Sequence, residues 1–137
     1  MPNADANVEI AYHRRGVLVG LITLFAAVVV RTAWISHDAF ITLRTVDNIL
    51  RGYGPVWNVG ERVQAYTHPL WLAILSAVSF LTGDLYYSTI FLSITISVFA
   101  VSVLAFRLAT TLSGAIVAIL ILTASKAFVE YSTSGLE

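Results

Sequence analysis

The chain has 137 residues, of which 58% are hydrophobic and 12% are charged, and its formal net charge is zero. Soluble domains carry roughly 25% charged residues, so this composition and a mean hydropathy of +0.82 indicate an all-α integral membrane protein. The balanced charge excludes a nucleic-acid-binding protein, and the absence of cysteine excludes disulfides and thiolate metal sites.

The first predicted membrane-spanning helix covers residues 16–35, which are apolar except for Arg31 near one end. The polar residues before it end in Arg14 and Arg15, a pair that places residues 1–15 in the cytoplasm by the positive-inside rule. No small-residue cleavage site follows, which favours a retained signal anchor over a cleaved signal peptide.

Residues 36–85 are predicted to form an outer loop with two helices that do not cross the membrane. One is an amphipathic helix over 39–51, expected to rest on the membrane surface with exposed ion pairs on its polar side. The other, over 69–82, has fourteen residues, which is short for a crossing. The apolar face of the first helix is predicted to consist of Phe40, Leu43, Val46 and Leu50, and the polar face of Arg44, Asp47 and Arg51.

Two further spans are predicted at 86–106 and 108–130, so that 131–137 begin a second outer loop. Three crossings place Arg107, between these spans, in the cytoplasm, whereas a crossing by 69–82 would place it outside. Helix length and the positive-inside rule both favour three crossings.

Asp38, at the start of the amphipathic helix, is open to two interpretations. The commoner role of such a residue is a helix N-cap, and the alternative is a general base that takes a proton from a hydroxyl nucleophile. On chemical grounds Arg44, Arg62 and His68 are candidate phosphate ligands, although each alone is more often a surface contact.

Near the end of the third span, Lys126 and Glu130 are four residues apart on one helical face. A surface ion pair is the commoner reading, and a cationic site for a lipid-linked phosphate is the alternative. Glu137 is predicted on the same outer side as Asp38. Two carboxylates distant in sequence would then face one cavity.

The residue order in 37–71, HDAFITLRTVDNILRGYGPVWNVGERVQAYTHPLW, resembles the first outer loop of bacterial GT-C membrane glycosyltransferases. Their pattern is D-D-A-[FY]-I-[ST]-x-R, followed by N, G-x-G, [FW]-N-x-G-E-R-V and Y-T-x-P-L-W. His37 before Asp38, and the segment 64–68, are most similar to actinobacterial terminal β-(1→2) arabinofuranosyltransferases of arabinogalactan and lipoarabinomannan synthesis. The ending EYSTSGLE resembles the second loop motif of that family.

This resemblance implies a GT-C-like N-terminal part of an enzyme that uses a polyprenyl-phosphate sugar, such as decaprenylphosphoryl arabinofuranose, outside the plasma membrane. It implies that Asp38 is catalytic and that Glu137 is the second-loop acid. Arg44, His68 and Lys126 would bind the phosphate of the donor, and a cell-wall polysaccharide would be the acceptor.

The chain departs from the family pattern in two ways. His37-Asp38 replaces the usual pair of acids, so the sequence gives no support to a metal or other cofactor. Family members are several hundred residues long, so the chain is expected to be a truncated part without transferase activity of its own. The alternatives are another polyprenyl-phosphate-sugar transferase, such as a mannosyltransferase, or a small non-catalytic membrane protein.

Overall fold

The computed structural model describes residues 4–61, 63 and 66–135, and over these ranges it contains helices and no strands. Two stretches are long and apolar enough to cross a membrane, Val8–Arg31 and Leu85–Leu108, each of 24 residues. In chain order the helices are α1 (Ala4–Arg31), α2 (Ala39–Leu50), α3 (Pro69–Thr82), α4 (Leu85–Val103), a π-helix (Leu104–Leu108), α5 (Leu112–Ala124) and α6 (Lys126–Tyr131).

α1 is longer at its start, and shorter at its end, than the predicted 16–35. It begins at Ala4 and includes the polar segment, so its 28 residues extend about 42 Å at 1.5 Å per residue. α1 ends at Arg31, and the backbone shortly after it bonds to the C-terminal segment instead of continuing the helix. The Trp34 N–H donates to Thr133 Oγ1 (3.3 Å), and the Ser36 N–H donates to the Ser134 carbonyl (2.8 Å).

The main core lies between α1, α4 and α5. Its α1 residues are spaced three and four apart, which puts them on one helical face. Phe25 of this face also contacts Phe128 of α6, with ring centroids 5.8 Å apart. The buried members of this core are Leu18, Ile22, Phe25, Val29, Val101, Ala105, Ala115, Ile119 and Val129.

The chain passes three times between two ends of the molecule. At one end the Arg14 guanidinium donates to the Ala109 carbonyl (3.3 Å), which places the start of α5 beside the first half of α1. At the other end Gly135 lies against Ala39 and Thr89, near the start of α4. α4 is therefore antiparallel to α1, and α5 is parallel to α1. We call the end with Arg14 and Ala109 the arginine end, and the end with Gly135 and Ala39 the Asp38 end.

The predicted third span over 108–130 is not one continuous helix. Thr111 Oγ1 caps α5 by accepting from the Gly114 N–H (3.1 Å), so the helix begins at Leu112. Ser125 then leaves helical geometry and caps α6 through its hydroxyl, which accepts from the Phe128 N–H (3.3 Å). The 13 residues of α5 extend about 20 Å, less than the roughly 30 Å of a hydrocarbon core.

α2 and α3 lie at the positions where the sequence predicts helices, and the predicted apolar face of α2 is divided between buried and exposed residues. Leu43 and Val46 are buried against α3, whereas Phe40 and Leu50 are 49% and 38% exposed. Small residues take the remaining buried positions, and at one of them, Ala39, Gly135 of the C-terminal segment comes close. The buried residues of α2 are Ala39, Thr42, Leu43, Thr45 and Val46.

The first and the last residues of α3 both lie near the Asp38 end of the molecule. At its start the Trp71 indole N–H donates to the Gly135 carbonyl (3.2 Å). At its end Gly83 takes a left-handed conformation (φ 72°), and Thr82 Oγ1 is 2.6 Å from Ser88 Oγ at the beginning of α4. α3 therefore does not traverse the distance that α1 and α4 cover.

Candidate functional site

Asp38 occupies the position before α2, but its side chain does not cap the helix. Its backbone is already helical (φ −67°, ψ −30°), and its carboxylate makes no capping hydrogen bond. Ser36 takes this place, since both its carbonyl (3.2 Å) and its Oγ (3.4 Å) accept from the Ala39 N–H. The N-cap reading of the Asp38 side chain is therefore wrong. The exposed carboxylate has no hydrogen-bond or ion-pair partner among the residues that the structure describes.

The segment Ser132–Gly135 holds the backbone around Asp38. Thr133 and Ser134 are 0% and 1% exposed, which is unusual for polar residues near a loop, and both bond to the segment before α2. Gly135 has a φ of +78°, and a Cβ there would be 2.9 Å from the Ala39 Cβ. The segment 132–135 and the segment around Asp38 thus form one packed unit.

A cleft of about 490 Å³ opens beside this unit. Asp38 and His37 line it from the α2 side, and Glu130 and Tyr131 line it from α6. The cleft therefore holds two carboxylates from distant parts of the chain. Its full lining is Trp34, Ser36, His37, Asp38, Glu130, Tyr131 and Ser134.

A second cleft, of about 430 Å³, shares Trp34 and Glu130 with the first. Lys126 lies in this cleft, with its Nζ 3.6 Å from Glu130 Oε1. The predicted ion pair is present, but the Lys126 side chain is 85% exposed, so the pair is weak and the ammonium can turn toward another anion. The remaining lining is largely apolar: Val28, Thr32, Thr123, Ala124 and Val129.

Arg44 contacts the connector between α2 and α3 rather than the Asp38 cleft. Its Nε donates to the Trp57 carbonyl (3.0 Å), its Nη2 donates to Asn58 Oδ1 (2.8 Å), and its guanidinium lies 4.7 Å from the centre of the Trp57 ring. Asn48 also donates to the Trp57 carbonyl (3.0 Å). In this structure Arg44 therefore orders the connector.

His68 joins α2 to the start of α3. Its Nε2 shares a hydrogen bond with Thr42 Oγ1 (2.8 Å), and its Nδ1 is 3.3 Å from Thr67 Oγ1. His68 does not line the cleft of Asp38 or that of Lys126. The structure thus brings together Asp38, Glu130 and Lys126 but places Arg44 and His68 elsewhere.

Asp47, Arg51 and Glu61 have local partners. Asp47 pairs with Arg51 (2.8 Å), as the helical spacing predicts, and this hydrogen bond and charge raise the pKa of Arg51. Glu61 Oε2 accepts from Asn58 Nδ2 (2.9 Å). The two remaining predicted site residues, Arg62 and Glu137, lie outside the described residues.

Glu130 is the site residue that sequence reasoning missed. Its spacing from Lys126 pointed to an ion pair, and nothing in the helical pattern indicated that the chain breaks at Ser125 and turns Glu130 toward Asp38. The informative signal was its place at the start of EYSTSGLE, because Thr133 and Ser134 of this motif bond to the segment that precedes α2.

Comparison with known proteins gives a partial match to a transferase. The chain is 53% identical over 49 residues to the terminal beta-(1->2)-arabinofuranosyltransferase of Corynebacterium glutamicum. It is 46% identical over 52 residues to the enzyme of the same name from Mycobacterium tuberculosis. These segments cover 36% and 38% of this chain but only 7% and 8% of the relatives.

These matches confirm the resemblance to the arabinofuranosyltransferase over part of the chain. No family model matches the sequence, and no solved structure matches it.

Proposed function

We propose that the chain forms the N-terminal part of a GT-C arabinofuranosyltransferase, with Asp38 as the general base. The enzyme transfers arabinofuranose from a polyprenyl-phosphate donor to a cell-wall arabinan on the outer face of the plasma membrane. The observation that carries this proposal is the uncapped Asp38 carboxylate in a cleft that both loop motifs build. The partial identity to two named arabinofuranosyltransferases supports the choice of sugar.

The transfer reaction needs a base and a cation, and the two adjoining clefts contain both. Asp38 removes the proton from the attacking 2-hydroxyl of the acceptor, a step that contributes roughly 10²–10⁴-fold to the rate of such reactions. The phosphate leaves with little need for an acid, and Lys126 stabilises its charge from the adjoining cleft. Because Lys126 contacts Glu130 only through an exposed ion pair, its ammonium can leave Glu130 and bind the phosphate.

The stereochemical course depends on a second carboxylate. A single displacement inverts the anomeric centre, whereas two successive displacements preserve it and need a nucleophilic carboxylate in addition to the base. Glu130 lies in the same cleft as Asp38. Asp38 alone serves as the base for a single displacement, and Glu130 supplies the second carboxylate that two displacements need.

Three crossings fit this function, with residues 1–15 in the cytoplasm. α1 and α4 supply two of them, and α5 with α6 supplies the third as a broken helix over 112–131. The arrangement of charge supports this topology, since Arg14, Arg15 and Arg107 lie together at the end opposite Asp38. The position of α3, with both ends near the Asp38 end, supports an interfacial rather than a spanning helix.

Cysteine labelling tests the topology, and the natural chain has no cysteine to interfere. We expect Asp84→Cys, in the turn between α3 and α4, to react with an impermeant maleimide added to intact cells. Thr110→Cys, at the arginine end, should react only after the membrane is permeabilised. Val59→Cys is the outer-loop control. Reaction at position 110 together with protection at position 84 would show that α3 crosses the membrane.

A transfer assay tests the reaction. Membranes that contain the complete transferase are supplied with decaprenylphosphoryl arabinofuranose and a synthetic arabinan acceptor. We expect a new terminal β-(1→2) linkage by NMR, whereas the 137-residue chain alone should give no product. Transfer from a polyprenyl-phosphate mannose in place of arabinofuranose would assign the chain to a mannosyltransferase.

The non-catalytic alternative is tested at the DNA level. A reading frame that continues beyond the codon for Glu137 into further membrane spans would support a transferase of which the chain is a part. An immediate stop codon would contradict the enzyme assignment and leave a small membrane protein.

A further inference from the structure

Three arginines converge at the end of the molecule opposite Asp38. Arg14 and Arg15 come from α1, and Arg107 comes from the π-helix that follows α4. They surround a cavity of about 380 Å³, whose remaining walls are largely apolar. The apolar lining residues are Ala11, Leu18 and Phe106.

The π-helix shapes this cavity. It widens the last turn of α4, with the Ala109 N–H donating to the Leu104 carbonyl (2.9 Å), and such wide turns often occur at functional sites. The chain then becomes extended at Ala109 (ψ 118°). The Arg14 guanidinium donates to the Ala109 carbonyl (3.3 Å). Arg14 thus anchors α1 to the turn, and Arg15 and Arg107 remain exposed.

The charge of the cavity is not balanced by its own lining. None of its lining residues is acidic, and neither Arg15 nor Arg107 has an ion-pair partner among the described residues. Arginines on an ordinary solvated surface are not accompanied by a concave apolar wall, whereas these arginines are. A guanidinium cluster over such a wall fits a ligand with a phosphate and an attached apolar group, because guanidinium forks match phosphate oxygens.

The position of the cavity indicates the source of the phosphate. It lies where one membrane-spanning stretch, Val8–Arg31, begins and the other, Leu85–Leu108, ends. Basic pockets between helices at this depth meet lipid headgroups. We propose that Arg14, Arg15 and Arg107 form a binding site for the phosphate of an anionic phospholipid, separate from the proposed sugar-transfer site.

Lipid binding by the full chain in detergent micelles tests this proposal. We expect native mass spectrometry to show retention of phosphatidylglycerol in preference to phosphatidylcholine of the same acyl length. Arg15→Gln and Arg107→Gln should each weaken this preference about fivefold, the fold-change that corresponds to roughly 1 kcal/mol per basic residue at an anionic surface. Arg14 is left intact because it anchors the Ala109 turn.

The controls separate charge from folding and lipid from soluble phosphate. Arg51→Gln removes a charge of equal size near the other end and should leave the preference unchanged, whereas Arg107→Lys should retain part of it, because lysine keeps the charge but not the guanidinium fork. Inorganic phosphate and glycerol phosphate should not compete at concentrations that match the lipid. Competition by either would assign the site to a soluble phosphate, and an equal loss in Arg51→Gln would reduce it to non-specific surface charge; either result overturns the proposal.

Discussion

Asp38→Asn is expected to lower the rate of arabinofuranose transfer by the complete enzyme about 10²–10⁴-fold, the contribution of a positioned general base. Asparagine keeps the size and the hydrogen-bonding capacity of the side chain but cannot take a proton. Because Ser36 rather than Asp38 caps α2, the substitution removes no helix cap. Expression and thermal stability should therefore be unchanged, and the loss should fall on kcat rather than on KM.

Asp47→Asn is the matched control for this experiment. Asp47 lies on the same helix, but its carboxylate pairs with Arg51 and does not line the Asp38 cleft. We expect its transfer rate to stay within about twofold of wild type, since exposed ion pairs contribute ~0–1 kcal/mol to stability. An active Asp38→Asn enzyme would refute the assignment of the base, and Glu130 would then be the described carboxylate left in the cleft.

The sequence predicted the elements that follow from local pattern. The apolar stretches that became α1 and α4 are evident from hydropathy, and the spacing of Asp47 and Arg51 correctly predicted their ion pair. Pro69 and the length of the apolar run defined α3, because proline suits the first turn of a helix. These features need no knowledge of distant contacts.

The features that the sequence did not predict depend on contacts between distant segments. Periodicity placed Phe40 on the apolar face of α2 but did not indicate that Phe40 is exposed while its neighbour Ala39 is buried close to Gly135. Residue type gave Arg44 as a candidate phosphate ligand, and it did not predict the contacts of Arg44 with Trp57 and Asn58 of the following connector.

The candidate site shows the same division. Asp38 could be found from its motif, but its role depended on whether its carboxylate or that of another residue capped the helix. Ser36 accepts from the Ala39 N–H at the start of α2, and its own N–H bonds to the Ser134 carbonyl, a contact between distant segments. Asp38 and Glu130 line one cleft in a structure in which the helix breaks at Ser125. Hydropathy does not predict this break.

The second large effect is expected at Gly135, where the C-terminal segment packs against the Asp38 segment. Its φ of +78° is in the left-handed region, which costs a residue with a Cβ roughly 1–2 kcal/mol. A Cβ there would also lie 2.9 Å from the Ala39 Cβ and 3.1 Å from the Thr89 Cγ2, and overpacking of this kind adds typically ~1–3 kcal/mol. Gly135→Ala should therefore be destabilising by about 2–5 kcal/mol.

Gly83→Ala separates the two contributions. Gly83 has a similar φ of +72°, but a Cβ there would meet no atom within 4 Å, so only the backbone cost applies. We expect thermal unfolding in detergent, followed by circular dichroism, to show a clearly larger drop in the unfolding midpoint for Gly135→Ala than for Gly83→Ala. In the complete transferase Gly135→Ala should also reduce sugar transfer, because displacement of the Ser132–Gly135 segment moves the backbone that positions Asp38. Equal midpoints for the two variants would mean that the close contact between Gly135 and Ala39 contributes nothing to the stability of the fold.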